Sequence, residues 1–435
     1  MNLAWLNYFV LAVVTYYVAL FAMSLRRREE TWNSPARPSF IIFVPCRNEE
    51  LVLDETLNSL TSLQYDGDFR ILVINDASID ATAAIADAWA LSTANVRVVH
   101  RTAAEGGRGK SDVLNQAYRT VRSWLEDEDP WLAGHDADDI IIGIVDADGR
   151  LEKTCLQTVG PYFFEPDVGA TQIGVRIFNA DRSLLARMQD MEFVAFSWLV
   201  QVARDWLGSL GLGGNGQFVR LSALATLGPA PWAIHALTED LELGLQLVEQ
   251  GWRTRFCSAT FVSQQGLESW RPLMRQRTRW IQGHYQCWRH IPRLAITKAI
   301  PWWTRVDLIT YLLFVVLVVI VTITSILGIL GTIGVITVPD SFLRGVVPNG
   351  FDFRLMSLVI STLPLTIFVG SYQRHSSSRF RWYEVPAAAA CFTLYTYVWF
   401  FATLRAWTRM LLRRTTWVKT PRVARKLTTE TSSAL

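Results

Sequence analysis

Two hydrophobic regimes divide the chain. Up to about residue 297, short and almost uniformly apolar runs alternate with longer mixed stretches; beyond it the apolar tracts lengthen. The short runs are 39–44 (SFIIFV), 70–74 (RILVI), 96–100 (VRVVH) and 140–145 (IIIGIV), rich in β-branched residues. Runs of that length and composition predict strands buried on both faces. Between the first three lie stretches that read as helices, 49–63 and 79–91, and a third follows at 111–125. Strands alternating with helices predict an α/β domain with a mainly parallel, doubly wound sheet. Such sheets bind ligands beyond the carboxyl ends of their strands.

The longer tracts predict membrane segments flanking that domain. The first, 3–25, is followed by Arg26-Arg27-Arg28. In a signal peptide the charge precedes the apolar stretch, so this order predicts an anchor, with the chain after Arg28 in the cytosol. Three further tracts, 311–338, 355–369 and 385–404, are each compatible with about 30 Å of hydrocarbon. If each crosses once, Arg405, Arg409, Arg413 and Arg414 fall outside, against the positive-inside rule. Gly328, Gly331 and Gly334 predict that the 311–338 tract is broken or re-entrant. The expected organisation is an anchor at 1–28, a cytosolic domain at 38–297 with interface helices near its end, a membrane region at 303–412 and a basic tail at 413–435.

Composition sharpens this picture. Half of the 435 residues are hydrophobic and only 19% are charged, and the mean hydropathy is +0.19, values expected of a membrane protein. A net charge of +3 argues against a nucleic-acid partner. The five cysteines are scattered without CxxC spacing, so they predict neither a zinc site nor a disulfide framework.

Four clusters carry candidate chemistry. Asn75-Asp76-Ala77-Ser78-Ile79-Asp80 follows the second strand, where Asp76 could meet a nucleobase or ribose, or cap the next helix. Asp146-Ala147-Asp148-Gly149 closes the 140–145 run; carboxylates at i and i+2 on a turn can share a hard divalent ion with a diphosphate. The nearby His135–Asp139 acids precede that strand and predict only a solvated loop. Thr238-Glu239-Asp240 opens an amphipathic stretch as an N-cap, or as the site of a general base. In Gln276-Arg277-Thr278-Arg279-Trp280, helical spacing puts Gln276, Arg279 and Trp280 on one face, offering a phosphate partner and a flat surface for a sugar ring. A basic, aromatic helix at a membrane surface is compatible with the same residues. Residues 104–111 nearly match a P-loop, but Ala104 replaces the first glycine and the motif follows a loop instead of the domain's first strand. Lys110 remains a candidate phosphate contact.

The order of these motifs, together with Phe43–Glu50 and Gly109–Asn115, resembles glycosyltransferase family 2. It is most similar to the processive membrane synthases of cellulose, chitin, hyaluronan and poly-N-acetylglucosamine. The resemblance implies a GT-A fold (Rossmann-like) with flanking transmembrane helices. It also implies an inverting, metal-dependent transfer from a nucleotide-sugar, a UDP-sugar foremost, to a glycan acceptor at the plasma membrane. Asp76 would contact uracil, Asp148 would hold Mg²⁺ or Mn²⁺ with Asp146 beside the donor, and Asp240, next to Glu239, would be the base. Arg279 would bind diphosphate and Trp280 would stack under the acceptor. Gly213-Gly214-Asn215-Gly216-Gln217 resembles the family's acceptor-side loop, which brings in Asn215. Asn75 departs from the family's commoner leading acid. The expected product is a β-linked polysaccharide, exported by an oligomer or partner. The alternative is a single transfer to a membrane lipid, as in ceramide glucosyltransferases. A transporter or inactive receptor would need ionisable residues inside the spans, and 311–338 and 355–369 lack them in their cores.

Overall fold

A computed structural model describes residues 15–26, 37–332 and 366–412. The early part of the expected anchor, the ends of the 311–338 and 355–369 tracts nearest each other, and the basic tail lie outside the described residues.

The expected strands form, with small shifts at their ends: β1 Ser39–Cys46, β2 Phe69–Asn75, β3 Val96–His100 and β4 Ile140–Ile144. The strands β5 Arg150–Leu151, β6 Val168–Ile177, β7 Gln217–Arg220 and β8 Arg253–Gln264 complete one sheet, ordered β3-β2-β1-β4-β7-β6-β8-β5. The first four strands run parallel, as do β6 and β8. β7 is antiparallel to both β4 and β6, so it turns the sheet from one half to the other.

Alternation along the two neighbouring strands β1 and β2 explains why their central positions are apolar on both faces. Phe40, Ile42, Val44, Ile71 and Val73 pack on one face against Leu53, Leu57 and Leu60 of the helix Leu53–Thr61. Ile41, Phe43, Leu72 and Ile74 pack on the other, against Val113, Leu114, Ala117 and Val121 of the helix Lys110–Glu126. Side chains at i and i+2 share a face, so a strand covered on both sides can spare no polar position.

Behind the sheet, the helices Leu184–Phe196, Trp270–Gln286 and Val385–Leu411 share an apolar cluster that includes Met188, Met191, Leu273, Phe392 and Val398. Among the described residues, Val385–Leu411 has the length and hydropathy to cross a bilayer. Trp302–Leu312 and Phe314–Ile320 meet the same test only as a pair bent by 54°. Gly328 and Gly331 lie within the helix Phe314–Thr332 and Gly334 lies outside the described residues, so the bend that is described falls instead at Leu313. There Trp288 Nε1 donates to the Leu312 carbonyl at 2.7 Å, and His284 Nε2 pairs with the Tyr311 carbonyl at 2.8 Å. Side chains that take carbonyls out of a helical ladder are a sufficient cause of a kink.

Candidate functional site

All ten candidate residues line one cavity of about 1150 Å³: Asp76, Lys110, Asp146, Asp148, Asn215, Glu239, Asp240, Gln276, Arg279 and Trp280. They come from the carboxyl ends of β2 and β4, the loop before β7, the starts of two helices and the face of a third.

At the β2 end, Asp76 is buried and is not a helix cap. Its carboxylate accepts from Arg101 Nη1, from Arg47 Nη1 at 3.3 Å and from the Gly107 amide at 3.1 Å. The helix Thr82–Ser92 is served instead by Asp80, whose Oδ1 accepts from the Thr82 amide at 3.0 Å. Ala77 follows with φ of 50°. This left-handed turn of a non-glycine residue is the kind of local strain that clusters at functional sites. Arg101 is a component the sequence reading missed; a basic residue directly after β3 was its only signal.

At the β4 end, Thr56 Oγ1 donates to the Ala147 carbonyl at 2.7 Å, fixing the turn between the two acids. Asp148 is buried, and its Oδ2 accepts from the Gln265 amide at 3.0 Å. Asp146 Oδ1 accepts from Lys110 Nζ at 2.5 Å. The two carboxylates are hard oxygen donors facing the cavity, a set that fits Mg²⁺ or Mn²⁺ when a diphosphate and water complete the coordination. Among the described residues no group of three His, Cys, Asp or Glu side chains could hold a metal by itself.

Asn215 is mainly a brace. Its Oδ1 accepts from the Asp146 amide at 3.2 Å and its Nδ2 donates to Gln264 Oε1 at 2.9 Å. Beside it, a side chain on Gly214 would meet Asp240 Oδ2 at 3.3 Å and Lys110 Nζ at 3.5 Å. Glycine there lets the backbone approach both charges.

Glu239 and Asp240 begin the helix Glu239–Glu249, as the N-cap pattern predicts, and both also face the cavity. Lys110 Nζ lies 3.7 Å from Glu239 Oε1. Burial and the neighbouring Glu239 charge push the Asp240 carboxyl up to about 6, against the pull of the Leu241 amide, Lys110 and Arg279. Burial would lower the Lys110 ammonium, but Asp146, Glu239 and Asp240 outweigh it and raise it. One cation among three acids therefore stays charged while one acid is poised near neutrality. The helix is fixed from behind by Glu242, which pairs with Arg289 and, at 2.6 Å, with His290.

Gln276, Arg279 and Trp280 share the cavity face of the helix Trp270–Gln286, as their spacing predicts. Arg279 Nη1 donates to the Leu237 carbonyl at 2.8 Å. Trp280 lies edge-on to Phe193 and tilted towards Trp399, each with centroids 6.2 Å away. The Arg277 guanidinium sits over the Trp280 ring at 4.1 Å. Arg277, Glu192, Tyr395 and Trp399 were not legible as site residues. Glu192 offered a faint signal as an acid in a largely apolar helix, whereas Tyr395 and Trp399 look like ordinary span residues.

The cavity changes character along its length. Beyond Asp240 and Trp280 its walls are Phe314, Val315 and Val318 on one helix and Phe392, Thr396 and Trp399 on Val385–Leu411. A charged chamber at the strand ends thus opens into an apolar one between the candidate membrane helices.

A mainly parallel sheet with cations and paired acids at its strand ends is an arrangement suited to holding an anionic ligand. Residues 37–283 match the family described as glycosyltransferase like family 2, and the chain belongs to that family. The β-monoglucosyldiacylglycerol synthase of Synechocystis sp. is 33% identical over 278 residues, covering 63% of this chain and 54% of that protein. The poly-β-1,6-N-acetyl-D-glucosamine synthase of Staphylococcus aureus is 23% identical over 292 residues, covering 66% and 63%. The chain spans about half the length of the first of these relatives. Among solved structures, a mannosyltransferase from Pyrobaculum calidifontis in complex with GDP-Man and Mn²⁺ superposes with a TM-score of 0.53 at 15% identity. It covers 95% of this chain and 99% of that one, and shares the fold. The family and the GT-A-like fold expected from the sequence hold; the emphasis on processive synthases shifts, because the lipid-modifying relative is the more similar.

Proposed function

We propose that the protein is a non-processive, inverting glycosyltransferase that moves one sugar from a nucleotide-sugar, a UDP-sugar foremost, to a membrane lipid. The observation that carries this reading is the single cavity joining Asp240 and Trp280 to apolar walls on Phe314–Thr332 and Val385–Leu411. An acyl chain can occupy such walls, leaving its headgroup hydroxyl at the charged chamber. The Synechocystis relative, named as a glucosyldiacylglycerol synthase, points the same way.

In this reading Asp76 and its arginine partners hold the base and ribose. Lys110 and Arg279 face the diphosphate. Asp146 and Asp148 would hold Mg²⁺ or Mn²⁺, which when bound neutralises diphosphate charge and so assists departure of the nucleotide. Asp240 takes the acceptor's hydroxyl proton as the oxygen bonds to the anomeric carbon and the bond to the nucleotide diphosphate breaks. A carboxyl near 6 suits a base working close to neutral pH. Glu239 keeps Lys110 in place, and Trp280 supports the acceptor from below. The catalytic domain lies on the cytosolic side of the plasma membrane, held by Val385–Leu411 and its neighbours in a multi-pass arrangement.

The test is the size and solubility of the product from a radiolabelled donor with purified protein in lipid. A single labelled sugar extracted into organic solvent supports lipid transfer. A water-soluble polymer would replace it with the polysaccharide synthase reading, which the QRTRW motif and the Staphylococcus aureus relative favour.

A further inference from the structure

Within the apolar half of the cavity one charged group faces inward. Glu192, on the helix Leu184–Phe196, lines the cavity next to Phe193 and Phe196, and its side chain is 14% exposed. Three donors hold the carboxylate. Arg277 Nη2 donates to Oε2 at 2.6 Å, Tyr395 Oη donates to the same oxygen, and Trp399 Nε1 donates to Oε1 at 2.9 Å. The Arg277 guanidinium is fully buried behind it and also lies over Trp280. Glu192 therefore belongs to the cluster around Trp280, the proposed support of the acceptor.

A carboxylate oxygen accepts two hydrogen bonds. Among the described residues Oε2 receives two donors and Oε1 receives one, so the carboxylate of this cavity-lining residue can take one more at Oε1. Burying a charge pair among aromatics costs stability that an apolar pair of similar volume would not. A role confined to tying three helices together would be served as well without a charge at the cavity wall.

We infer that Glu192 is a specificity-determining residue of the acceptor subsite. Its carboxylate receives a hydrogen bond from a hydroxylated, uncharged lipid headgroup and turns away phosphate-bearing lipids. The chemistry follows from what the group offers: an acceptor for O–H and a like charge against phosphate, with its counter-cation out of reach behind it. This inference rests on the lipid-acceptor reading. It adds to it the class of lipid and the residue that selects it.

The experiment uses the full chain in lipid nanodiscs with a labelled nucleotide-sugar. Diacylglycerol is the uncharged acceptor, and phosphatidylglycerol, which carries hydroxyls and a phosphate, is the anionic one. The wild type is expected to use diacylglycerol and to discriminate against phosphatidylglycerol. Glu192→Gln is expected to raise the KM for diacylglycerol about tenfold, to leave the donor KM unchanged, and to weaken the discrimination by a similar factor. Because Glu192→Gln leaves Arg277 without its countercharge, the double variant Glu192→Met with Arg277→Met, which removes both charges at similar volume, is measured alongside. Loss of discrimination in a folded double variant supports the inference. Unchanged acceptor KM and unchanged discrimination in either folded variant, or a uniform fall in kcat with KM intact, would overturn it and leave lipid transfer standing. No organic-soluble product from the wild type with either lipid would overturn the lipid reading and this inference together.

Discussion

Lys110 Nζ stands 2.5 Å from Asp146 Oδ1, so an ammonium carried by the first turn of one helix is locked to the acid that ends β4. The same nitrogen donates to the Gly214 carbonyl at 2.6 Å, tying in the loop before β7. Asp240 lies close enough for the Lys110 charge to lower its carboxyl against burial and Glu239, which raise it. Lys110→Met is therefore expected to raise the donor KM and to move the acid limb of the kcat profile to higher pH. A pH–rate profile of wild type and variant checks this. An unmoved acid limb would disconnect Lys110 from the base.

Asp240→Asn tests the base from two sides. Removing a general base is expected to lower kcat by about 10²–10⁴-fold while nucleotide-sugar binding, read by calorimetry, persists. Stability supplies an independent readout. The folded carboxyl is raised to about 6, above an ordinary aspartate, so the stability it contributes is complete below its unfolded value and is lost as pH rises through about 6. Asparagine mimics the protonated form at every pH. The variant should therefore melt higher than wild type above pH 7, by about 2–4 °C, and the gain should vanish near pH 4. A variant that loses activity but melts like wild type at both pH values would place Asp240 outside the buried, charge-crowded position described.

The metal site is tested away from its own acids. Thr56 is buried and donates to the Ala147 carbonyl between Asp146 and Asp148. Chelation is expected to abolish turnover, with Mn²⁺ or Mg²⁺ restoring it. Thr56→Val should raise the half-saturating metal concentration by about 10–100-fold, the effect usual for an outer partner of a metal ligand. Full activity in excess chelator would remove the metal from the reaction.

How much of this was legible in the sequence follows from range. β1 to β4 can be read because each is a short run dominated by apolar, mostly β-branched residues, and the acids after β2 and β4 because a strand end is a marked position. Asp76 lines the cavity, as its strand-end position suggests, yet its partners Arg47, Arg101 and Gly107 come from three other segments that no local pattern links to it. β5 to β8 are not anticipated: β5 and β7 are short, and β6 and β8, though long, interleave polar residues with apolar ones and so lack the uniform apolar run that marks β1 and β4. The glycines of the 311–338 tract draw attention because their flexibility is local, whereas the bend at Leu313 lies where Trp288 and His284 from another helix meet the carbonyls of Leu312 and Tyr311, which no local pattern announces. Glu192 joins Trp280 only through Arg277 and Trp399, a relation set by how helices distant in sequence pack.

His290 offers a prediction about the helix that carries Asp240. Its Nε2 donates to Glu242 at 2.6 Å and its Nδ1 to Glu249 at 2.7 Å, so both ring nitrogens hold a proton. Burial alone would lower the imidazole, but the bonds to Glu242 and Glu249 outweigh it and raise it to about 9. Burial would raise Glu242, yet His290 and Arg289 outweigh that and lower it. The signs define a window. The raised imidazole contributes stability fully below about 6.5, its unfolded value, and loses it as pH rises through about 9. The lowered Glu242 contributes above its unfolded value and loses it in acid. The melting temperature should accordingly fall between pH 7 and 9.5, and His290→Gln should flatten that fall by removing the titrating group. Since Glu242 lies within one turn of Asp240, His290→Gln should also lower kcat with little change in donor KM at pH 7. Melting curves across this range, paired with steady-state kinetics, decide it: a wild-type alkaline fall that persists undiminished in the variant would refute the clamp.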